Sequence, residues 1–250
     1  MTEVVRLSDV TTGEFDTSLI APTEQDWEII SKSPQIEDPR ERCYIIGDLA
    51  VLDLQRAISI PTQEDWDCFV ERTIWLNVQP GGFIVRNGLI TAMAKVDRER
   101  TRKAFKPDEL EDICKPALAR VLRGEEEPGL YPGSLQELLI YADPESTKKL
   151  FSEYGQTAWD AERRYLDWLR RESPAHAFIL LAALSEIDQE QTLSVMEKSD
   201  WQLAQEGLAR YRVRAVQNEY DIEPLIRHLA ALKKLSPLFV QLIQQESSHR

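Results

Sequence analysis

The sequence predicts a mainly α fold, either a helical bundle or a short stack of helix pairs. Two observations predict it. Helix-start signals recur, with Ser, Thr, Asp or Glu standing just before a proline or an acidic first turn. Between these signals, apolar residues return at the three- and four-residue spacing of an α-helix. The turns between such runs are very short in the second half, which makes neighbouring helices antiparallel.

Residues 1–21 read as an irregular N-terminal arm, broken at Thr11-Thr12-Gly13. Such a segment docks on a partner or on the protein itself, or is a frayed terminus. The first helix start is Pro22-Thr23-Glu24-Gln25-Asp26-Trp27. There Thr23 can accept from the backbone N–H of Asp26, whose carboxylate suits the positive helix end. Pro61-Thr62-Gln63-Glu64-Asp65-Trp66 repeats the string, with Thr62 and Asp65 in the same places. The doublet is either a degenerate internal repeat of about 39 residues or the same capping chemistry arrived at twice. The likeness stops after the first turn, which favours the second reading.

Between the copies, Asp38-Pro39-Arg40-Glu41 is a further start. The run after it sets Cys43, Ile46, Leu49 and Ala50 on one side, with Asp48 and Asp53 on the rest. Gly47 is a weak point, costing about 1 kcal/mol against Ala in a helix. A strand over Tyr44 to Leu54 is the competing reading. After the break at Gln79-Pro80-Gly81-Gly82, Asn87-Gly88 stands between two apolar triplets, Phe83 to Val85 and Leu89 to Thr91. This predicts one small β-hairpin in the N-terminal half. Alternatively, Asn87 caps a helix running through Phe105.

Pro107-Asp108 opens a helix with Leu110, Ile113, Ala117, Leu118 and Val121 turned inward, kinked or split at Pro116 and ended by Gly124. Residues 125–133, with two Pro-Gly breaks, read as a linker between helical subdomains at 22–124 and 134–250. Further starts stand at Ser134, Asp143-Pro144, Thr157, Ser173-Pro174, Ser199-Asp200, Glu223-Pro224 and Ser236-Pro237. Trp159, Glu162, Leu166 and Leu169 share one stripe, expected to pack in the core, although Trp is also favoured at interfaces.

The composition sets limits on function. Hydrophobic residues make up 42% and charged residues 29%, a globular balance rather than a disordered one. Mean hydropathy is -0.39. The most apolar stretch, Ala175 to Leu184, is interrupted by His176 and too short for a bilayer. The N-terminus lacks a basic region leading into an apolar core, so a cytoplasmic location is expected. Cys43, Cys68 and Cys114 are odd in number and widely spaced, which argues against a disulfide framework and a zinc site. A net charge of -13 repels phosphates and anionic membrane, and favours solubility or a basic partner.

Motifs for chemistry are sparse. No glycine pattern forms a phosphate loop, and His176, His228 and His249 fall in no metal-binding spacing. No metal and no cofactor are expected. Arg171 and His176 have the R-x4-H spacing, which resembles that of helical ribonucleases of the HEPN type. The resemblance implies an arginine and a histidine meeting across a dimer to attack a phosphodiester. Pro174 departs from it by placing a helix start between the two residues. Lys95, Arg98, Arg100, Arg102, Lys103 and Lys106 oppose the acidic trend. They would contact nucleic acid or an acidic protein surface, or decorate an exposed helix as paired charges. Arg210, Arg212 and Arg214 are expected to neutralise Glu206 or carboxylates on other helices. The remaining acidic residues read as solvated helix faces.

These readings point to a non-catalytic protein–protein interaction or assembly factor, with a protein partner or self-association through helical surfaces and the N-terminal arm. One alternative is an enzyme or binder of nucleic acid or nucleotide using Lys95 to Lys106. Another is an acidic regulator that occupies a basic groove of a partner.

Overall fold

The computed structural model describes residues 23–26, 39–53, 61–76, 82–103, 105, 108–126, 130–217 and 222–247. Every regular element among them is helical. Helix α1 spans Pro39–Leu52, α2 Gln63–Leu76, α3 Gly82–Val96 and α4 Arg98–Arg102. A π-helical turn, Leu110–Cys114, leads into α5, Lys115–Leu122. Then follow α6 (Leu130–Ala142), α7 (Pro144–Tyr154), α8 (Gln156–Glu172) and α9 (Pro174–Leu184). Helices α10 (Gln189–Val195), α11 (Lys198–Gln217) and α12 (Ile222–Ser247) complete the chain.

The capping strings do what their chemistry requires, and they do it alike. Asp26 N–H donates to Thr23 Oγ at 3.1 Å, and the Asp26 carboxylate accepts from Thr23 N–H at 2.7 Å. The matching bonds at Thr62 and Asp65 measure 3.2 and 2.7 Å. Each aspartate is buried and meets an arginine of another helix, Arg212 for Asp26 and Arg42 for Asp65. A third aspartate–tryptophan step behaves the same way without the threonine. Asp200 accepts from Glu197 N–H at 2.7 Å and pairs with Arg170 at 2.7 Å. In all three places a buried carboxylate caps a helix start and ties it to an arginine of another helix.

Several expectations are corrected. The competing strand over Tyr44 to Leu54 gives way to the leading helical reading: α1 runs through residues 44–52 and buries Cys43, Ile45, Ile46 and Leu49. No hairpin forms around Asn87-Gly88, which lies inside α3. Packing overrides the turn signal there. Leu89, Ile90 and Met93 are buried, Asn87 donates to Ser134 Oγ at 3.2 Å, and Gly88 leaves room for the Tyr44 ring. The expected break at Pro116 takes the form of a π-turn immediately before it, which absorbs the missing hydrogen bond, but Ile113 within that turn is 59% exposed rather than turned inward. Ser236-Pro237 starts no helix, since Pro237 lies within the continuous α12. Ser134 likewise sits inside α6. Asp143 and Ser173 precede helices whose first residue is proline, yet neither side chain caps. Asp143 faces Lys115 instead, at 3.1 Å.

The described helices share one hydrophobic cluster across both halves of the chain. Helix α3 packs between α1 and α6, while α12 lies against α1, α9 and α11. Helix α6 begins at Leu130, inside the 125–133 stretch; residues 127–129 and the 1–21 arm lie outside the described residues. Gly47 is explained by the crossing of α1 and α3. A methyl group there would overlap the backbone of Ala92. Among the described residues, no helix is long and apolar enough to cross a membrane.

Candidate functional site

Helices α1, α3, α6 and α12, with Ile179 and Ala182 of α9, line a cleft rich in ionisable groups. Asp48 comes from α1, Lys95 from α3, Glu137 and Tyr141 from α6, and Arg227 and Lys234 from α12. Lys95 Nζ lies 2.7 Å from Asp48 Oδ1 and 3.8 Å from Glu137 Oε1. Arg227 reaches Glu137 at 3.3 Å and Asp48 at 3.9 Å. Lys234 donates to the Tyr141 hydroxyl at 2.9 Å and to Glu186 at 2.5 Å. The Tyr141 ring also takes both ammonium groups on its face, with centroid distances of 4.8 Å to Lys95 and 4.6 Å to Lys234.

The sequence reading missed this convergence. It placed Asp48 on the outer side of α1, but Asp48 is 4% exposed. The contributors are spread over four helices with no shared spacing, so only the tertiary crossing brings them together. Burial raises the Glu137 pKa, but Arg227 and Lys95 outweigh that and hold it below the ordinary carboxylate range. Burial pulls Lys234 down despite Glu186, and pushes the Tyr141 hydroxyl well up. Three cations face three carboxylates, counting Glu186. The space left between them is only about 10 Å³, room for one water molecule. Small-molecule sites commonly need about 300–1,000 Å³. The arrangement is a neutralised ionic joint between helices, with no chamber for a substrate.

A wider groove of about 380 Å³ lies at the corner of α7 and α8, floored by Phe151 and Trp159. Lys148 and Asp188 stand at its rim, and Asp188 caps α10 by accepting from Gln191 N–H at 3.0 Å. Trp159 is buried, at 5% exposure, and Trp168 stacks on Tyr165 at 6.0 Å, as the core reading of that stripe expects. In the same stripe Glu162 is fully buried and lacks a cation. Burial raises its pKa to about 8, against the opposing hydrogen bond from Gln136. It is therefore a neutral acid at pH 7.

The residues singled out from sequence do not assemble. Lys95 is inside the joint just described. Arg98 donates to the Tyr141 carbonyl at 3.0 Å. Arg100 donates to Gln63 at 2.7 Å and lies over the Trp66 ring at 4.3 Å. Arg102, half exposed, lies 3.9 Å from Asp143, Lys103 is exposed, and Lys106 is outside the described residues. The basic run is thus largely tied down within the fold. Arg171 is exposed, His176 is partly shielded while still presenting surface to solvent, and no hydrogen bond or ion pair joins them. His176 instead meets the Ser173 hydroxyl through Nδ1 at 2.6 Å. Partial burial and the Arg227 charge hold its pKa below the usual value, against Glu137. Arg212 neutralises a carboxylate on another element, as expected, through Asp26. His228 is buried and neutral, with a pKa lowered to about 4 by burial, and faces the Ala204 carbonyl at 2.6 Å. Among the described residues no group of three or more His, Cys, Asp or Glu could hold a metal ion. No family model, no curated protein and no solved structure matches this chain.

Proposed function

We propose that this protein is a non-catalytic interaction or assembly factor that docks other proteins through its helical outer surface. The observation that carries this reading is the outer face of α2. Val70, Ile74 and Trp75 stand outward there at 39%, 62% and 46% exposure. Single exposed apolar residues are ordinary, whereas neighbours on one helix face leave an unpartnered patch. The charged groups lend support from the opposite direction. Those that converge seal a joint with no room for a substrate, and most of the basic run is held by internal partners.

The test compares the wild-type chain with Ile74→Asp in capture from cell extract, with the melting temperature measured on both. Partner capture lost at an unchanged melting temperature is the expected result. Salt-sensitive nucleic-acid binding, abolished by reversing Arg102 and Lys103, would overturn the reading in favour of the basic segment.

A further inference from the structure

The groove at the corner of α7 and α8 measures about 380 Å³, within the range of about 300–1,000 Å³ common to small-molecule sites. Its floor is aromatic and held by the core. Phe151 and Trp159 are buried, with ring centroids 5.1 Å apart and planes tilted by 52°, and Ile187 completes the apolar lining. The corner itself is open: the chain turns there at Gly155, with φ 50°, and a Cβ at that position would meet nothing within 4 Å. Lys148 of α7 and Asp188, which caps α10, bring opposite charges to this one groove. They form no ion pair with each other, and neither pairs with another charged group among the described residues. Asp188 Oδ1 accepts from Gln191 N–H at 3.0 Å, and Oδ2 has no partner among the described residues. The charges nearby in sequence, Glu145, Lys149 and Glu190, are exposed and stand outside the lining.

Two unlike charges that share a groove without meeting fit one molecule that carries both. We propose that this groove binds a free aromatic α-amino acid, with its ring on Phe151 and Trp159, its carboxylate toward Lys148 and its ammonium toward Asp188 Oδ2. The ligand ring adds a third aromatic group to a pair already in contact, in offset or edge-on geometry. A zwitterion has no net charge, so the field of a chain carrying -13 does not repel it as it repels a plain anion. Both charged contacts lie at the rim in water, so each contributes modestly. A ligand of this size then binds with a dissociation constant on the order of 1 mM.

Isothermal titration calorimetry on the full chain tests this with four probes: L-phenylalanine, N-acetyl-L-phenylalanine, L-phenylalaninamide and the uncharged N-acetyl-L-phenylalaninamide. Each is titrated into wild type, Lys148→Met and Asp188→Asn. Lys148 is exposed and asparagine caps a helix as aspartate does, so both variants are expected to fold, which far-UV circular dichroism checks. L-phenylalanine is expected to bind wild type about fivefold more tightly than either singly charged analogue. Lys148→Met should weaken L-phenylalanine and leave L-phenylalaninamide unchanged. Asp188→Asn should weaken L-phenylalanine and leave N-acetyl-L-phenylalanine unchanged. The probe series on wild type decides the matter even where a variant fails to fold. No binding of L-phenylalanine up to its solubility limit overturns the proposal, as does binding that neither folded variant alters. Equally tight binding of N-acetyl-L-phenylalaninamide also overturns it, and would make the groove a seat for a phenylalanine side chain of another polypeptide.

Discussion

Two neighbouring residues of α6 show how differently one helix can treat buried polarity. Glu137 faces Arg227 and Lys95 and stays ionised in the interior. Gln136, one position earlier, faces Glu162, which has no cation and stays protonated. Both acids are buried, so burial alone decides neither state. The counter-charge does. The ionised region behaves as a joint whose parts depend on each other. The neutral region behaves as a polar inclusion that tolerates one protonation state only.

The largest effect should come from opening the joint. Lys95→Met removes one partner and leaves Asp48 buried beside an incomplete set of cations. Urea denaturation should register a loss of about 3–5 kcal/mol. Adding Asp48→Asn should return part of that loss, whereas a double variant that costs the sum of the two single variants would mean that the two side chains are not coupled.

The neutral region should announce itself through pH. The folded Glu162 pKa is raised above its ordinary value of 4.5, to about 8. The unfolded chain therefore releases this proton first, and stability declines as pH rises from about 4.5 to about 8, then levels off. Glu162→Gln should remove that decline, gaining on the order of 3 kcal/mol relative to wild type between pH 5 and pH 8. His228 works in the opposite sense. Its folded pKa is lowered, so its contribution is present above about 6.5 and is lost as pH falls toward 4. The difference between Glu162→Gln and wild type cancels the histidine. A flat difference would mean that Glu162 is solvated.

Smaller effects sharpen the contrast between interior and surface. Gly47→Ala inserts a methyl into the backbone of Ala92 and should cost about 1–3 kcal/mol in thermal unfolding, although alanine is the better helix former. Ile74→Ser, on the exposed face of α2, should change stability by no more than about 0.5 kcal/mol.

The parts of this fold that were legible in the sequence are those decided locally. Thr23 with Asp26, Thr62 with Asp65, and Pro39 at the start of α1 each follow from the backbone groups left open at a helix start. Local signals misled where packing prevailed. Asn87-Gly88 carries the composition of a turn, but the neighbouring Leu89, Ile90 and Met93 gain more by lying between α1 and α6. Pro237 carries the composition of a helix start, but α12 runs through it, with buried Leu235, Leu238 and Phe239 on either side. The ionic joint was invisible for a different reason. Asp48, Lys95, Glu137 and Arg227 are far apart in the chain and look like ordinary charges of solvated helices. Glu162 shares a stripe with Trp159 and Leu166, yet the sequence reading counts it with the other acids as a solvated face.

The account depends on the Asp48–Lys95–Glu137–Arg227 joint being closed to anything larger than water. Lysine acylation followed residue by residue by mass spectrometry addresses this directly. Lys103 should react quickly in the native protein, while Lys95 should react only as fast as the molecule unfolds, its rate following denaturant as global unfolding does. Rapid native-state labelling of Lys95, or its protection by a small anionic compound, would mean that the joint opens and can hold a ligand.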